Sequence, residues 1–429
     1  MRNWRALQRG SARLALGMAV CMVAATGCNS SGGGDGDITL TVATFSDFGY
    51  SKSLYKEYEK AHPNVKIKER ISQFDPHHKQ LATHLATGSG AADIEAIEEG
   101  FLPQFRQSKG KFANLADFGA KDLKDQWLSW KWAQAAPDDD TVLGLGTDVG
   151  SLAMCYNTKA FKDAGLPTDR TQVAALWPTW NDYLATGKKF KDSGAKAKWF
   201  DGANNILTAL MNQSPYGFFE PEKDEFVADS NPAVKDSFLL AAKASNDGLS
   251  AKLEPFSQPW TVGFKQGSFA TITCPAWMVG LIKDAVGAGG EGTWDVATIP
   301  GGGGNWGGSF LTVPKQGKHQ KEAYELAKFL TSPDAQKKIF EETGNLPSQP
   351  ALLKDPAVLA LKQPFFNDAP TGEIFAKSAD SLKPNYRGLR DGDVRPIFTR
   401  ALLRVEQGKQ APQAAFDEAV KESKKVLGQ

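Results

Sequence analysis

The opening of the chain's body constrains its fold most: β-branched runs alternate with helix-spaced runs at short intervals. Ile38-Thr39-Leu40-Thr41-Val42-Ala43-Thr44-Phe45 reads as a strand, ended by the turn set Ser46-Asp47-Phe48-Gly49. Ser51 or Ser53 then caps a helix through Leu54, Tyr55, Tyr58 and Ala61, which Pro63 stops because proline cannot continue the hydrogen-bond ladder. Val65, Ile67 and Ile71 share one face of a second strand, a helix from Pro76 with Leu81 and Leu85 runs to Gly88-Ser89-Gly90, and Asp93 to Ile97 is a third strand. This order predicts an α/β fold with a parallel sheet covered on both faces. Ligands of such sheets collect at the carboxyl ends of the strands, so Ser46, Asp47 and Phe48, and then Glu98 and Glu99, are candidate contacts by position alone.

The residues before the body set an address. Arg2, Arg5, Arg9 and Arg13 precede the uncharged run Leu14 to Ala25, too short for a permanent membrane span, and this pattern is a secretory signal. Ala25-Thr26-Gly27-Cys28 ends it with small residues and a thiol able to carry lipid, so residues 1–27 read as a signal peptide and Cys28 as the lipid attachment point. The Gly- and Ser-rich stretch to Asp37 is too polar to pack, which makes 28–37 a flexible tether. Without the signal the chain holds 46 basic and 49 acidic residues, a net charge of −3 that gives no reason to expect nucleic acid as a partner. Two cysteines remain in the body, Cys155 and Cys274, and the sequence leaves open whether they are bridged or are two buried thiols. No spacing of His and Cys fits a zinc site, and no metal or other cofactor is expected. His77 and His78, adjacent on a helix, point about 100° apart and read as surface residues.

Further on, Leu143 to Asn157 is an apolar stretch interrupted by Gly144, Gly146 and Gly150, the pattern of a strand broken where it passes between two lobes. Helical spacing follows at Lys159 to Ala164, Asn181 to Lys191 and Asn231 to Ser245. Gly263 to Thr273 returns to a strand, as do Trp294 to Pro300 and Ser309 to Pro314; Lys321 to Thr331 and Pro333 to Glu342 give two helices, and the tail Phe398 to Leu427 is mostly helical apart from a break at Gly408 to Pro412. Gly302-x-Gly304-x-x-Gly307 has dinucleotide-site spacing but leads into a strand, where no helix terminus can face a phosphate, and it is set aside. Trp127, Trp130 and Trp132 read as packing residues, whereas Trp277 and Trp306 stand in loops at strand ends. Sugar rings stack their C–H faces on such planes while their hydroxyls need carboxylates and amides at the edge. Asp148 and Asn305 lie in the neighbouring loops.

Three segments together resemble the extracellular solute-binding proteins of ABC sugar importers, the group that includes maltose-binding protein: Thr261 to Met278, Trp294 to Leu330 and Thr343 to Pro350. The resemblance rests on Phe264-Lys265-Gln266-Gly267-Ser268-Phe269-Ala270 before a strand ending at Pro275-Ala276-Trp277, on Ala323 to Ser332, and on Tyr156-Asn157-Thr158-Lys159-Ala160-Phe161. Cys274 stands where the family usually has Gly, and Ala276 displaces Trp277 by one residue. The runs Gly301 to Gly308 and Gly146 to Gly150 look most like the cellobiose and cello-oligosaccharide binders of Gram-positive importers.

The resemblance implies a two-lobe clamp like the periplasmic binding proteins, each lobe a mainly parallel sheet flanked by helices, joined by a hinge that the chain crosses several times. Its expected lobes are 38–147 with 305–370, and 148–304 with 371–429. It implies binding without catalysis: Trp277 and Trp306 as stacking plates, Asp47, Phe48, Glu99, Asp148 and Asn305 as further contacts, and Tyr386 and Arg387 at the edge from a late loop. A monomer on the outer face of the membrane, held by lipid and delivering sugar to a permease, follows from the same likeness. The competing readings are a lipid-anchored glycoside hydrolase, which also needs carboxylates and tryptophans, and a binder of another sugar, such as a xylo- or malto-oligosaccharide, or of a non-sugar solute.

Overall fold

The structure, a computed structural model, describes residues 37–46 and 48–429. Signal, tether up to Gly36, Cys28 and Asp47 lie outside the described residues. Eleven strands follow in chain order: β1 Ile38–Phe45, β2 Val65–Ser72, β3 Ile94–Glu98, β4 Gly144–Gly146, β5 Asp148–Val149, β6 Leu152–Asn157, β7 Lys198–Phe200, β8 Phe269–Pro275, β9 Trp294–Ala297, β10 Ser309–Thr312 and β11 Leu346–Pro347. They make a five-stranded sheet β2-β1-β3-β10-β4, a four-stranded sheet β7-β8-β6-β9 and the small pair β11-β5. Helices flank both larger sheets, so the fold is the expected two-lobed α/β clamp.

β1 pairs in parallel with β2 and β3, as the strand–helix alternation requires. The helix Lys52–Ala61 begins at Ser51, whose hydroxyl accepts the Leu54 N–H, and buries Leu54, Tyr55 and Tyr58 against this sheet. The remaining pairing is more mixed than the mainly parallel expectation. β10 runs antiparallel to β3, Ser309 opposite Glu98, and antiparallel to β4, and β6 runs antiparallel to both β8 and β9. The reason is topological: these strands connect directly to the segments that cross between the sheets. A chain leaving one sheet at its cleft end enters the other from the cleft end, and so runs against the strands whose carboxyl ends face that cleft.

Two crossing segments pair with each other. Trp306 N–H donates to Gly150 O (2.8 Å), and Leu152 N–H to Gly304 O (3.0 Å). A Cβ at Gly150 would lie 1.7 Å from the Trp306 carbonyl oxygen, so only glycine fits this approach. The pair β5-β11 is a third crossing in the last third of the chain. The glycines of 302–307 lead into β10 and not into a helix, in keeping with setting aside the dinucleotide spacing.

Packing bears on where one lobe ends and the other begins. Ala323, Tyr324, Leu326 and Ile339 pack with the five-stranded sheet, whereas Leu352, Val358, Phe365 and Phe366 pack with Trp260, Phe269 and Trp294 of the other lobe. We therefore propose moving the boundary at residue 370 to about the crossing at Leu346.

Two local readings change, and one open question is answered. Gly263 to Gln266 end the helix Gln258–Gln266, and the strand starts only at Phe269; Trp260 and Phe264 face the core at helical spacing that the following β-branched run obscures. His77 and His78 are buried, not surface residues. His77 Nε2 donates to Ala96 O (2.7 Å), His78 Nδ1 donates to Phe74 O (2.8 Å), and His78 Nε2 accepts the Glu98 N–H (3.1 Å) while its ring stacks on Phe101 at 4.0 Å. Burial, with His77 beside it, pulls the His78 pKa down to about 3, so it is a neutral acceptor fixing the end of β3. Cys155 and Cys274 are bridged, joining β6 to β8 across 119 residues of sequence, which answers the question left open above. Trp127 and Trp132 are buried and Trp130 packs part-buried, as packing residues should.

Candidate functional site

The strand order of the first sheet places the carboxyl end of β3 opposite the crossing loop 301–308. Glu99 is held there by its own N–H, which donates to Gly308 O (2.9 Å). Its carboxylate is buried and takes two donors: Asn305 Nδ2 at 2.6 Å on Oε2, and Arg387 Nε at 3.4 Å on Oε1. Arg387 Nη2 continues to Asn212 Oδ1 (2.7 Å) in the second lobe. Asn305, Glu99, Arg387 and Asn212 thus form one polar relay running from the hinge through the first lobe to the second. Both ends are unpaired. Asn305 Oδ1 and Asn212 Nδ2 are buried without a hydrogen-bond partner among the described residues. An orphaned amide atom of this kind costs about 1–3 kcal/mol until something supplies its partner.

The two indoles stand beside this relay. Trp277 Nε1 donates to the Trp306 carbonyl (2.8 Å), and the rings meet edge to face at 5.5 Å and 78°. Trp306 packs on the cores at both sides of the four-stranded sheet. The displacement of Trp277 by Ala276 puts it immediately before the helix Met278–Val286, with its ring turned to Trp306 on one side and Phe256 on the other (6.2 Å, 26°). Phe256 is 53% exposed and stacks in turn on Phe74 of the first lobe (6.3 Å, 20°), which meets Phe45 and through it Phe48. A row of aromatic rings therefore spans from one lobe to the other.

Beneath lies a buried charge layer. Asp148 accepts from Thr147 Oγ1 (2.6 Å) and from Ser309 N–H (3.0 Å) on one carboxylate oxygen. Burial raises its pKa against the opposing pull of Lys131. Lys131 is fully buried, its ammonium over the Phe310 ring at 4.0 Å with no hydrogen-bond partner among the described residues. Burial lowers its pKa, and Glu99, Asp148 and Glu98 oppose that shift. Burial, then the adjacent Glu99, pushes Glu98 up to about 7. Arg395 borders this layer from a partly exposed position, paired with buried Asp391 and with its guanidinium tips against Gly100. Outside it, an open depression of about 650 Å³ bordered by Ser46, Ile71, Ser72, Gln73, Pro76 and Gln80 lies at the carboxyl ends of β1 and β2.

Of the residues proposed from sequence, the structure brings together Glu99, Asn305, Arg387, Trp277 and Trp306. Asp148 sits behind them as part of the charge layer. Phe48 connects only through the row of rings, and its carbonyl is taken by Asn345 Nδ2 (3.2 Å). Tyr386 turns away: its hydroxyl donates to Asp224 Oδ1 at 3.0 Å, so the residue anchors the late loop. Asn212, Lys131 and Phe256 were not foreseen. A helix-terminal asparagine, a lysine between two tryptophans and a phenylalanine in a polar loop carry no local signal of a site. Among the described residues no group of three or more His, Cys, Asp or Glu could hold a metal ion, and no helix is long and apolar enough to cross a membrane.

Two lobes facing each other across crossing strands, with polar and aromatic side chains converging from both, define a clamp-type binding protein. Residues 53–365 match the model of the bacterial extracellular solute-binding proteins, and the chain belongs to that family. It is similar to a solved extracellular solute-binding protein of family 1, with 44% identity and a TM-score of 0.80 over 90% of this chain and 99% of that one. The fold is shared with an ABC transporter associated binding protein of B. animalis subsp. lactis Bl-04, solved in complex with β-1,6-galactobiose (23% identity, TM-score 0.77, 91% and 98% covered). Among curated proteins, the arabinooligosaccharide-binding protein of Bacillus subtilis strain 168 is 27% identical over 77% of this chain and 78% of its own length. A periplasmic sn-glycerol-3-phosphate-binding protein of Brucella abortus is 26% identical, over 71% of each.

Proposed function

We propose that this protein captures an oligosaccharide between its lobes and delivers it unchanged to the permease of an ABC importer, working as a monomer held to the outer face of the membrane by lipid on Cys28. The observation that carries this reading is the relay Asn305–Glu99–Arg387–Asn212, unpaired at both ends beside Trp306 and Trp277. Sugar hydroxyls donate and accept at once, so they suit an orphaned acceptor and an orphaned donor, and the indoles suit the C–H face of a ring. Because the relay draws on hinge, first lobe and second lobe, a ligand that completes it favours closure, which a ligand touching one lobe could not do. The arabinooligosaccharide-binding and galactobiose-bound relatives support the substrate class.

Cellobiose or a cello-oligosaccharide is the sugar we infer, from the glycine runs around 146–150 and 301–308. A disaccharide of about 23 heavy atoms at roughly 0.3 kcal/mol per atom gives about 7 kcal/mol, a micromolar dissociation constant. Thermal-shift screening against mono-, di- and trisaccharides, with glycerol 3-phosphate as the non-sugar arm, tests the reading. Oligosaccharides should raise the melting temperature by mass action. Stabilisation by glycerol 3-phosphate alone would replace the oligosaccharide reading, and recovery of shortened sugars after incubation would replace it with hydrolysis.

A further inference from the structure

Phe256 stands in the left-handed backbone region at φ 64°, where a bulky side chain is strained, and Lys252 earlier in the same loop does so too at φ 58°. The loop is pinned to its lobe. Ala251 N–H donates to Phe200 O (2.8 Å), Leu253 N–H to Asp201 O (3.0 Å) and Ser257 N–H to Glu254 O (3.2 Å). A strained backbone persists only where its surroundings over-determine it, and such positions gather at clamps and switches. Here the strain aims a ring. Phe256 rests on Trp260 (5.4 Å, 50°) and on Trp277 (6.2 Å, 26°) of its own lobe, and Trp260 is buried with its Nε1 donating to Asp201 Oδ2 (2.7 Å). Phe256 nevertheless stays largely exposed, so burial in its own lobe does not account for its position. Its partner across the lobes is Phe74, nearly parallel at 20° and within the 6.3 Å of an attractive aromatic pair. Phe74 is wedged in turn among Phe45 (5.2 Å), His78 (5.1 Å) and Phe101 (5.5 Å) of the first lobe. Each ring is fixed by its own lobe, so the two meet only when the lobes are together.

We propose that Phe256 and Phe74 form a latch that holds the lobes together whatever ligand lies between them. The relay offers its unpaired atoms to the ligand, whereas this contact is complete within the protein. It therefore stabilises the closed arrangement by the same increment for every ligand, and sets affinity without choosing among sugars. The inference rests on the clamp and not on the oligosaccharide reading.

Two variants test it. Phe256→Gly removes one ring and accepts the left-handed backbone without strain. Phe74→Leu removes the other ring and keeps apolar bulk; melting curves verify that both fold. In small-angle X-ray scattering of the sugar-free protein, the radius of gyration should rise in Phe256→Gly, because the lobes part more often. In isothermal titration with cellobiose and cellotriose, each variant should bind about threefold to tenfold more weakly, the worth of one aromatic pair, by the same factor for both sugars. The double variant should lose no more than either single one, since the two rings act as a pair. An unchanged radius, an unchanged affinity or a double loss equal to the product of the single losses would overturn the latch. Factors that differ between the two sugars would overturn it in favour of a direct sugar contact at Phe256. If neither sugar binds, the oligosaccharide reading falls and the scattering still decides the latch.

Discussion

Replacing Asn305 with aspartate is the sharpest perturbation the geometry offers, because it changes shape hardly at all and reverses the chemistry. Asn305 Nδ2 donates to Glu99 Oε2 at 2.6 Å and to Gly307 O at 3.0 Å. In the Asn305→Asp variant both donors vanish, and a second carboxylate takes their place beside the first in a buried position. Two unit charges 2.6 Å apart at an effective dielectric constant of about 20 repel by roughly 6 kcal/mol. The pair therefore retains one proton, shared between its oxygens. Holding a proton at pH 7 on a carboxyl group of ordinary pKa near 4 costs about 4 kcal/mol, and that cost falls by about 1.4 kcal/mol for each unit the pH drops. Urea denaturation of variant and unaltered protein at pH 5, 6 and 7 measures it. The stability difference should be about 4 kcal/mol at pH 7 and shrink to between about 1 and 2 kcal/mol at pH 5. A loss of the same size at all three pH values would refute the reasoning, since it would mean that no proton is shared with Glu99.

Other consequences can be checked separately. Trp306→Ala should weaken oligosaccharide binding by about 1–3 kcal/mol, taking the magnitude of nucleobase stacking on an aromatic ring, and unchanged affinity in a titration would remove Trp306 from the site. Trp277→Phe keeps a ring but loses the N–H that donates to Trp306 O; a loss of about 1 kcal/mol in denaturant stability is expected. Glu98, pushed up to about 7 by burial, favours the folded state most below its ordinary range and loses that contribution as pH rises towards 7. Melting temperature should accordingly fall between pH 5 and 7.5, and fall less in Glu98→Gln; Glu95 and Asp201, also raised to about 7, leave part of the slope in place. Removing both bridged cysteines as alanines frees a closed loop of 119 residues and should cost about 4–5 kcal/mol of denaturant stability.

Local rules made much of this molecule readable before its structure was known. Strand, helix and turn in the opening hundred residues follow from β-branched runs, Ser51 and Pro63, and the crossings follow from glycines where chains approach closely. Glu99, Asn305, Trp277 and Trp306 could be chosen because they follow strands or stand between glycines, which is information carried along the chain. What escaped depends on partners far apart in sequence. His77 and His78 are polar on a helix whose neighbours look solvated, yet Ala96 O and the Glu98 N–H arrive from β3 and satisfy them inside. Asn212 matters only because Arg387, 175 positions later, docks on it. Tyr386 was a reasonable neighbour of Arg387 until Asp224 claimed its hydroxyl. The cysteine bridge is a property of strand register between β6 and β8, which spacing does not encode.

A crystal structure of the protein grown with cello-oligosaccharide or arabino-oligosaccharide bears most directly on the clamp. A sugar ring should lie against Trp306, with hydroxyls partnering Asn305 Oδ1 and Asn212 Nδ2 and the lobes closed around it. Density for a sugar elsewhere, with those two amide atoms still unpartnered, would contradict the account.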